Sequence, residues 1–297
     1  MPTGKPDWIA VDWGTSHLRV WPMAGDVVLA RLESDKGMGR LTPDAFEDVL
    51  VTLLGNWLNR AEAPIDVLVC GMAGARQGWR EAPYQAVPSK VPARGIPVPV
   101  RDARLAVTIL PGMSQAKPAD VMRGEETQIG GFLRSEPAFD GVLCLPGTHT
   151  KWVHISAEEV VSFRTFMTGE LFDLLSRQSV LRFSVGDGWD DDAFATAVSD
   201  AMGRPAALSA ELFGIRAGSL LDGTAEGAAR ARLSGLLIGA ELAAARPYWL
   251  GQEVVILGEG GMAEAYRGAL ASLGATVRCV PVEGATLAGL IAARKAT

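Results

Sequence analysis

The chain has little of what disulfide or zinc–thiolate chemistry requires. It carries three cysteines among 297 residues, Cys70, Cys144 and Cys279, and they lie far apart. No Cys-X-X-Cys pair and no cluster of cysteine and histidine has the spacing of a zinc site. We interpret the three cysteines as buried, reduced thiols, which are typical of cytoplasmic proteins.

Long hydrophobic runs and dense basic runs are also absent. The longest apolar runs fall well short of the roughly 20 residues that a membrane-spanning helix needs. Residues 1–8 have no apolar stretch of the kind found in signal peptides. The net charge is −6, which argues against nucleic-acid binding. We therefore expect a cytoplasmic protein whose partner is a small molecule, with no nucleic acid and no membrane involved.

The P-loop pattern GxxxxGK[ST] is missing as well. Instead, the chain contains two similar Gly-Thr turns between apolar strands. Residues 8–21 carry Gly14-Thr15, and residues 141–155 carry Gly147-Thr148. Such a turn exposes N–H groups and a hydroxyl, and glycine lets the main chain approach an anion. Two turns predict two related lobes that hold one polyphosphate.

Strand and helix patterns alternate along most of the chain, which predicts α/β layers. We expect one strand over residues 27–33 and a helix that follows an N-cap at Thr42, with Pro43 as its first residue. Gly235 and Gly239 lie one helical turn apart and predict a close approach to a neighbouring backbone. The remaining expected strands cover residues 8–12, 18–23, 65–70, 106–110, 253–257 and 276–282. We expect three further helices: one that begins after an N-cap at Thr168, one over 224–246 and one over 284–296.

Asp12 ends the first strand immediately before the Gly-Thr turn. A carboxylate at that position can hold Mg²⁺ against phosphates. Alternatively, Asp12 stabilises the hairpin as an Asx-turn acid. The hydroxyls of Thr15 and Ser16 would donate hydrogen bonds to phosphate oxygens.

Residues 258–263 match GxGxxA between a strand and a helix, and Glu283 follows about 20 residues later. This pattern offers a rival interpretation, a nicotinamide dinucleotide site. Only one strand follows the motif, whereas a dinucleotide fold would continue. The same Gly-rich turn can pass beneath an adenine ring.

A polar cluster at residues 123–127 precedes a helical pattern. Acids are favoured at a helix N-terminus by the macrodipole, so a structural role is one interpretation. In the other, a carboxylate accepts the proton of a sugar hydroxyl as that hydroxyl attacks phosphorus. Both interpretations stay open on these residues alone.

Four segments resemble the phosphate, adenosine and connecting segments of the sugar-kinase/Hsp70/actin superfamily. They are DWGTSHLR (12–19), LPGTHTKW (145–152), VILGEGGMAEA (255–265) and EGATLAGLIA (283–292). More narrowly, the chain is similar to the 2-dehydro-3-deoxygalactonokinase family. The segments that carry this resemblance include CGMAGARQGWREAPY (70–84), VMRGEETQIGG (121–131) and FRTFMTGELFDLL (163–175).

The resemblance implies an α/β, two-lobed actin-like ATPase (ribonuclease H-like) fold with a cleft between the lobes. The N-terminal lobe would comprise residues 1–118 together with the C-terminal helix 284–297, and residues 119–283 would form the C-terminal lobe. The implied reaction is phosphorylation of a sugar acid, 2-dehydro-3-deoxy-D-galactonate, at its C6 hydroxyl, with ATP and Mg²⁺ as cofactors.

The resemblance also implies roles for individual residues. Asp12 would hold magnesium. The nucleotide would be bound by Gly14, Thr15, Ser16, Gly147, Thr148, Gly258, Gly260 and Gly261. Many sugar kinases carry a catalytic aspartate beside the second phosphate loop, but residues 145–147 supply no acid. We therefore assign the catalytic base to Glu125, with Glu126 as the second candidate.

The substrate's own carboxylate needs a cation. The candidates are Arg164, which we favour, and Arg123, Lys151 and Arg76. A kinase of another sugar or sugar acid, and a non-catalytic ATP-switched or filament-forming protein of the actin kind, are the remaining alternatives. A homodimer is left open.

Overall fold

The structure is a computed structural model that describes residues 4–60 and 63–296. Its contacts divide the chain into two compact units. The first unit comprises Met1–Phe139, Ser156–Ser162 and Val282–Thr297. The second comprises Asp140–Ile155 and Phe163–Pro281. None of the helices in the described ranges has the length and apolar character to cross a membrane.

The main sheet of the first unit has seven strands. They are β1 (Trp8–Trp13), β2 (Leu18–Ala24), β3 (Val27–Val28), β4 (Leu32–Ser34), β5 (Ile65–Gly71), β7 (Ile96–Val98) and β8 (Leu105–Ile109). Their order is β3-β2-β1-β5-β8-β7, and β4 also pairs with β2. The single strand expected over residues 27–33 is therefore wrong, because two short strands pair separately with β2. A small second sheet, β10-β9-β6, contains β6 (Tyr84–Ala86), β9 (Gly112–Gln115) and β10 (Asp120–Met122).

Helix α1 (Phe46–Leu54) buries Phe46, Leu50 and Leu54 against this sheet, as the apolar spacing predicts. The helix begins three residues later than expected. Thr42 is not its N-cap, because residues 43–45 form a turn in which the N–H of Ala45 donates to the Thr42 carbonyl at 3.0 Å.

Helices α2 (Glu125–Ser135) and α9 (Val282–Lys295) pack together through glycines. A Cβ at Gly131 would clash with the Ala285 carbonyl, and one at Gly289 would clash with the Thr127 carbonyl. Only glycine allows so close an approach. This packing explains why residues 119–139 fall in the first unit, whereas the boundary expected from the sequence placed them in the second.

A five-stranded sheet in the order β13-β12-β11-β14-β15 supplies the core of the second unit, and its residues 156 and 159–162 are grouped with the first unit. Its strands are β11 (Gly141–Leu145), β12 (Thr150–Ser156), β13 (Glu159–Phe166), β14 (Glu253–Leu257) and β15 (Thr276–Val280). Its helices are α3 (Thr168–Gln178), α4 (Asp191–Gly203), α5 (Leu208–Leu221), α6 (Glu226–Ala244), α7 (Arg246–Trp249) and α8 (Gly260–Ser272).

Helix α6 packs closely on α4. A Cβ at Gly235 would lie 2.5 Å from the Phe194 carbonyl oxygen, and one at Gly239 would lie 2.6 Å from that of Val198. The close approach predicted from these two glycines is confirmed. The N-cap predicted at Thr168 is wrong: the N-cap of α3 is Met167, and Thr168 is the first helical residue, whose hydroxyl donates to Glu241.

Candidate active site

The first Gly-Thr turn joins β1 to β2, which pair antiparallel with Asp12 opposite Arg19. The Nη1 of Arg19 donates to Asp12 Oδ2 at 3.2 Å. The N–H of Gly14 donates to the His17 carbonyl at 2.9 Å and closes the turn. Thr15 is exposed at the tip. An anion that approached the tip would therefore meet backbone and hydroxyl donors beside one carboxylate.

A second glycine segment supports this turn, and the sequence interpretation missed it. The N–H of Met38 donates to the Gly14 carbonyl at 3.0 Å, and that of Gly39 donates to the Thr15 carbonyl at 2.9 Å. A Cβ at Gly37 would lie within 2.6 Å of the turn backbone. These bonds engage two carbonyls of the turn and hold its backbone in place. The Gly-X-Gly spacing at residues 37–39 was the available signal.

The N-terminus of α2 lies beside the end of β1. A Cβ at Gly124 would lie 3.2 Å from Gly71 Cα, and one at Gly71, where φ is +88°, would lie 3.4 Å from Asp12 Oδ1. Burial raises the pKa of Asp12, and the negative charge of Glu125 adds to that effect, whereas Arg19 opposes it. The structure thus brings Asp12 and Glu125 together into one acidic cluster.

The two adjacent glutamates differ in environment. Glu126 is buried, and its two carboxyl oxygens accept from the Gly124 N–H at 2.9 and 2.7 Å. Burial first, and then the charge of Glu125, raises the pKa of Glu126 to about 8. Glu125 is half-buried and accepts from the Arg123 N–H at 3.1 Å. Glu125 is thus the more accessible of the two candidate bases.

Among residues 4–60 and 63–296, no three acid, cysteine or histidine side chains are grouped to hold a metal ion. The site therefore does not fit a cation held entirely by protein ligands. The carboxylate of Asp12, with the charge of Glu125 nearby, does fit a magnesium ion whose remaining ligands are mostly water molecules and phosphate oxygens.

The second Gly-Thr turn joins β11 to β12, with Leu145 opposite Lys151. The N-terminus of α3 supports it. A Cβ at Gly169 would clash with the Gly147 carbonyl, and the Glu170 N–H donates to the Thr148 carbonyl at 2.9 Å. The support is again a glycine pressed against the turn backbone.

The second unit also contains a cavity of about 700 Å³ between α3, the start of α4, α6 and α8. Its size suits a nucleoside-sized ligand. Gly261 lines it, whereas Gly258 and Gly260 do not. Gly258 instead donates its N–H to the Val280 carbonyl at 3.0 Å. The remaining walls are mainly aromatic and aliphatic, with polar side chains that include Thr168, Arg230, Ser234 and Glu264.

The four cations predicted for the substrate carboxylate are divided between the units. In the first unit, Arg123 is buried over the Tyr84 ring and donates to the Ala82 carbonyl at 2.8 Å. Arg76 is exposed and lies 3.4 Å from Glu81.

In the second unit, Lys151 is buried, with its Nζ 3.4 Å from the His149 carbonyl. Arg164 is exposed, and it forms no ion pair with any residue that the structure describes. Arg164 is thus accessible and has no carboxylate partner among the described residues.

The molecule has an actin-like ATPase fold, with two antiparallel Gly-Thr hairpins on separate sheets and a Gly-rich turn that leads into α8. The 2-keto-3-deoxy-galactonokinase family profile matches residues 12–293. Because this match spans nearly the whole chain, the protein belongs to that family.

The chain is 42% identical to a protein of Rhizobium meliloti strain 1021 assigned as a 2-dehydro-3-deoxygalactonokinase, over 97% of both chains. It is 34% identical to the 2-dehydro-3-deoxygalactonokinase of Escherichia coli strain K12, over 95% of this chain and 96% of that one. A Sinorhizobium meliloti crystal structure with the same assignment superposes with a TM-score of 0.90 at 43% identity, covering 97% and 96% of the two chains. Membership in a kinase family favours the adenine interpretation of residues 258–263 over the nicotinamide one.

Proposed function

We propose that this protein transfers the γ-phosphoryl group of ATP to the C6 hydroxyl of 2-dehydro-3-deoxy-D-galactonate. The products would be 2-dehydro-3-deoxy-6-phosphogalactonate and ADP, formed in the cytoplasm. Besides family membership, the observation that carries this proposal is the acidic cluster beside the first Gly-Thr turn. This part of the first unit would combine hydrogen-bond donors for phosphate, a carboxylate for magnesium and a candidate base.

The phosphates would be bound by the backbone donors of the two turns. Thr15 and Ser16 supply the first set, with Gly14 shaping the turn because its own N–H donates to the His17 carbonyl, and Gly147 and Thr148 supply the second. Asp12 would hold Mg²⁺, which when bound neutralises charge on the phosphate oxygens. The adenosine would lie in the cavity beside Gly261, with Gly258 and Gly260 shaping the turn that leads to it.

Glu125 would accept the proton of the attacking hydroxyl. Its accessible carboxylate lies near the Asp12 charge. A base within reach of the hydroxyl speeds phosphoryl transfer by accepting the hydroxyl proton as the oxygen attacks phosphorus. Glu126 would stay protonated near neutral pH, because its pKa is about 8. Its role would be to hold the Gly124 N–H and thereby the start of α2.

Arg164 would bind the substrate carboxylate, because it is exposed and has no ion-pair partner among the described residues. Arg123, Lys151 and Arg76 remain candidates for the same role. A carboxylate–guanidinium pair is favoured by its bidentate geometry.

ADP release with 2-dehydro-3-deoxygalactonate, compared with its gluconate epimer and a panel of sugars and sugar acids, tests this proposal. We expect the galactonate derivative to give the highest kcat/KM, and the product to carry phosphate on C6. A different preferred sugar acid would support the alternative kinase activity. ATP turnover that no member of the panel stimulates would contradict both.

A further inference from the structure

Helix α6 contains a buried acid that the proposed reaction does not use. Glu241 is 3% exposed and lies within an Ala- and Leu-rich helix. Its Oε1 accepts from Trp152 Nε1 at 2.7 Å, and its Oε2 accepts from the Tyr266 hydroxyl at 2.7 Å and from the Thr168 hydroxyl. No Lys, Arg or His in the described parts of the chain pairs with it. Burying a carboxyl without a cation is costly, so its donors must offset that cost.

The three donors come from three separate elements. Trp152 lies on β12, five residues after Gly147 of the second Gly-Thr turn. Thr168 opens α3, whose next residue, Gly169, presses against the Gly147 carbonyl. Tyr266 lies on α8, which begins within the adenosine segment (255–265). One carboxyl group therefore joins the two elements that form and support the turn to the helix behind the cavity.

A further bond completes the link. The hydroxyls of Thr150 and Tyr266 lie 2.9 Å apart. Because Tyr266 donates its proton to Glu241, Thr150 is the donor to Tyr266. Thr168 and Tyr266 also line the cavity. The network thus runs from the strand after the turn, through the carboxyl group, to the cavity wall.

We propose that Glu241 is a positioning residue for the nucleotide. It holds the second Gly-Thr turn, the start of α3 and α8 in the arrangement that lets one ATP molecule use both the turn and the cavity. This inference rests on the proposed function, which places phosphates at that turn and adenosine in that cavity.

The consequence is selective. Every residue of the network lies in the second unit, whereas Asp12 and Glu125 lie in the first. Loss of a donor should therefore weaken ATP binding and leave kcat at saturating ATP within about twofold, because the proposed base and metal ligand lie in the first unit. A purely structural role would instead lower the melting temperature without weakening ATP binding.

Two tryptophans provide a matched test. Trp152→Phe removes the donor to Glu241 and keeps an aromatic ring. Trp249→Phe is the control. Trp249 is also buried, but its Nε1 donates at 2.8 Å to the carbonyl of Leu242, which lies on α6 next to Glu241 and is not part of the network. Tyr266→Phe is a second network variant that changes volume very little.

Binding of the non-hydrolysable analogue AMPPNP with Mg²⁺, measured by calorimetry, is the first readout, and the ATP KM together with kcat at saturating ATP is the second. We expect Trp152→Phe and Tyr266→Phe to raise the Kd and the ATP KM about tenfold, the effect of one lost buried hydrogen bond. We expect Trp249→Phe to lower only the melting temperature.

The outcomes separate the two proposals. Wild-type protein that binds the analogue, with network variants that bind it as tightly as Trp249→Phe does, would overturn the role of Glu241 alone. Wild-type protein that binds no analogue would overturn both the role of Glu241 and the proposed kinase activity. If Trp152→Phe fails to fold, Tyr266→Phe decides.

Discussion

The two Gly-Thr hairpins are built alike. In each, an antiparallel pair carries the turn and the first strand pairs in parallel with a further strand: β1 pairs with β2 and β5, and β11 pairs with β12 and β14. In each, a glycine from outside the hairpin presses against the turn backbone, Gly37 in the first and Gly169 in the second. The same local device thus occurs once in each unit.

What differs is the residue two positions before the turn glycine. The first hairpin has Asp12 there, next to the acids of α2. The second has Leu145, which is 3% exposed and belongs to the apolar interior. The two turns therefore share a backbone arrangement and differ in the side chain at this one position, so under the proposed function only the first turn would also supply a metal ligand.

Asp12→Asn should have the largest effect on turnover, because it removes the carboxylate that distinguishes the first hairpin from the second. We expect turnover to fall at least about 100-fold, because the amide removes the charge that would hold magnesium. Because burial raises the pKa of Asp12, loss of its charge should leave the melting temperature nearly unchanged. Asp26→Asn, at an exposed ion pair with Lys295, is the control that should retain full activity. Undiminished turnover in Asp12→Asn would remove Asp12 from the mechanism.

Glu125→Gln should follow, with a loss of about 100-fold in kcat from removal of the base. Glu126→Gln should cost less than about tenfold, because Gln can still accept a hydrogen bond from the Gly124 N–H through its amide oxygen. Steady-state kinetics with saturating ATP measure both. If neither variant slows the reaction, the base lies elsewhere.

The two supporting glycines should separate the roles of the turns. Gly37→Ala and Gly169→Ala each force a methyl group against a turn, because the Cβ would clash with backbone atoms. We expect Gly37→Ala to lower kcat and Gly169→Ala to raise the ATP KM, each about tenfold. Gly214→Ala is the control, because nothing lies within 4 Å of its Cβ and alanine favours a helix. Identical effects of the first two variants on both parameters would contradict the division of roles.

The smallest effect concerns stability and pH. The folded-state pKa of Glu126 is about 8, above the 4.5 of an unperturbed glutamate. The folded protein therefore binds the extra proton, and this contribution to stability is full below about pH 4.5 and is lost as pH rises through 8. Urea unfolding at pH 6 and pH 9 should show wild type losing more stability than Glu126→Gln. Equal losses would contradict the raised pKa.

Much of the fold was readable from the sequence, because strand alternation and Gly-Thr turns are local signals. Both hairpins, the strand over residues 253–257 and the close approach at Gly235 are examples. The start of α1 was misplaced because a turn at residues 43–45 competes with the helix for Thr42. Helices α4 and α5 were not predicted at all, and α5 buries only Ile215 fully.

The candidate site was predictable only where a motif carried it. Asp12 and Glu125 come together because Gly71 and Gly124 meet, which no local pattern shows. Thr168 was taken as a helix cap, but its hydroxyl donates to Glu241, 73 residues away in sequence. Long-range contacts of this kind decide roles that propensity alone leaves ambiguous.

We propose that both hairpins bind the phosphates of one nucleotide. A crystal structure with AMPPNP and Mg²⁺ would settle this. We expect phosphate oxygens within hydrogen-bond distance of the turn at Gly14 and of the turn at Gly147, with the adenine in the cavity beside Gly261. A bound nucleotide whose phosphates lie far from either turn would disprove the shared phosphate site.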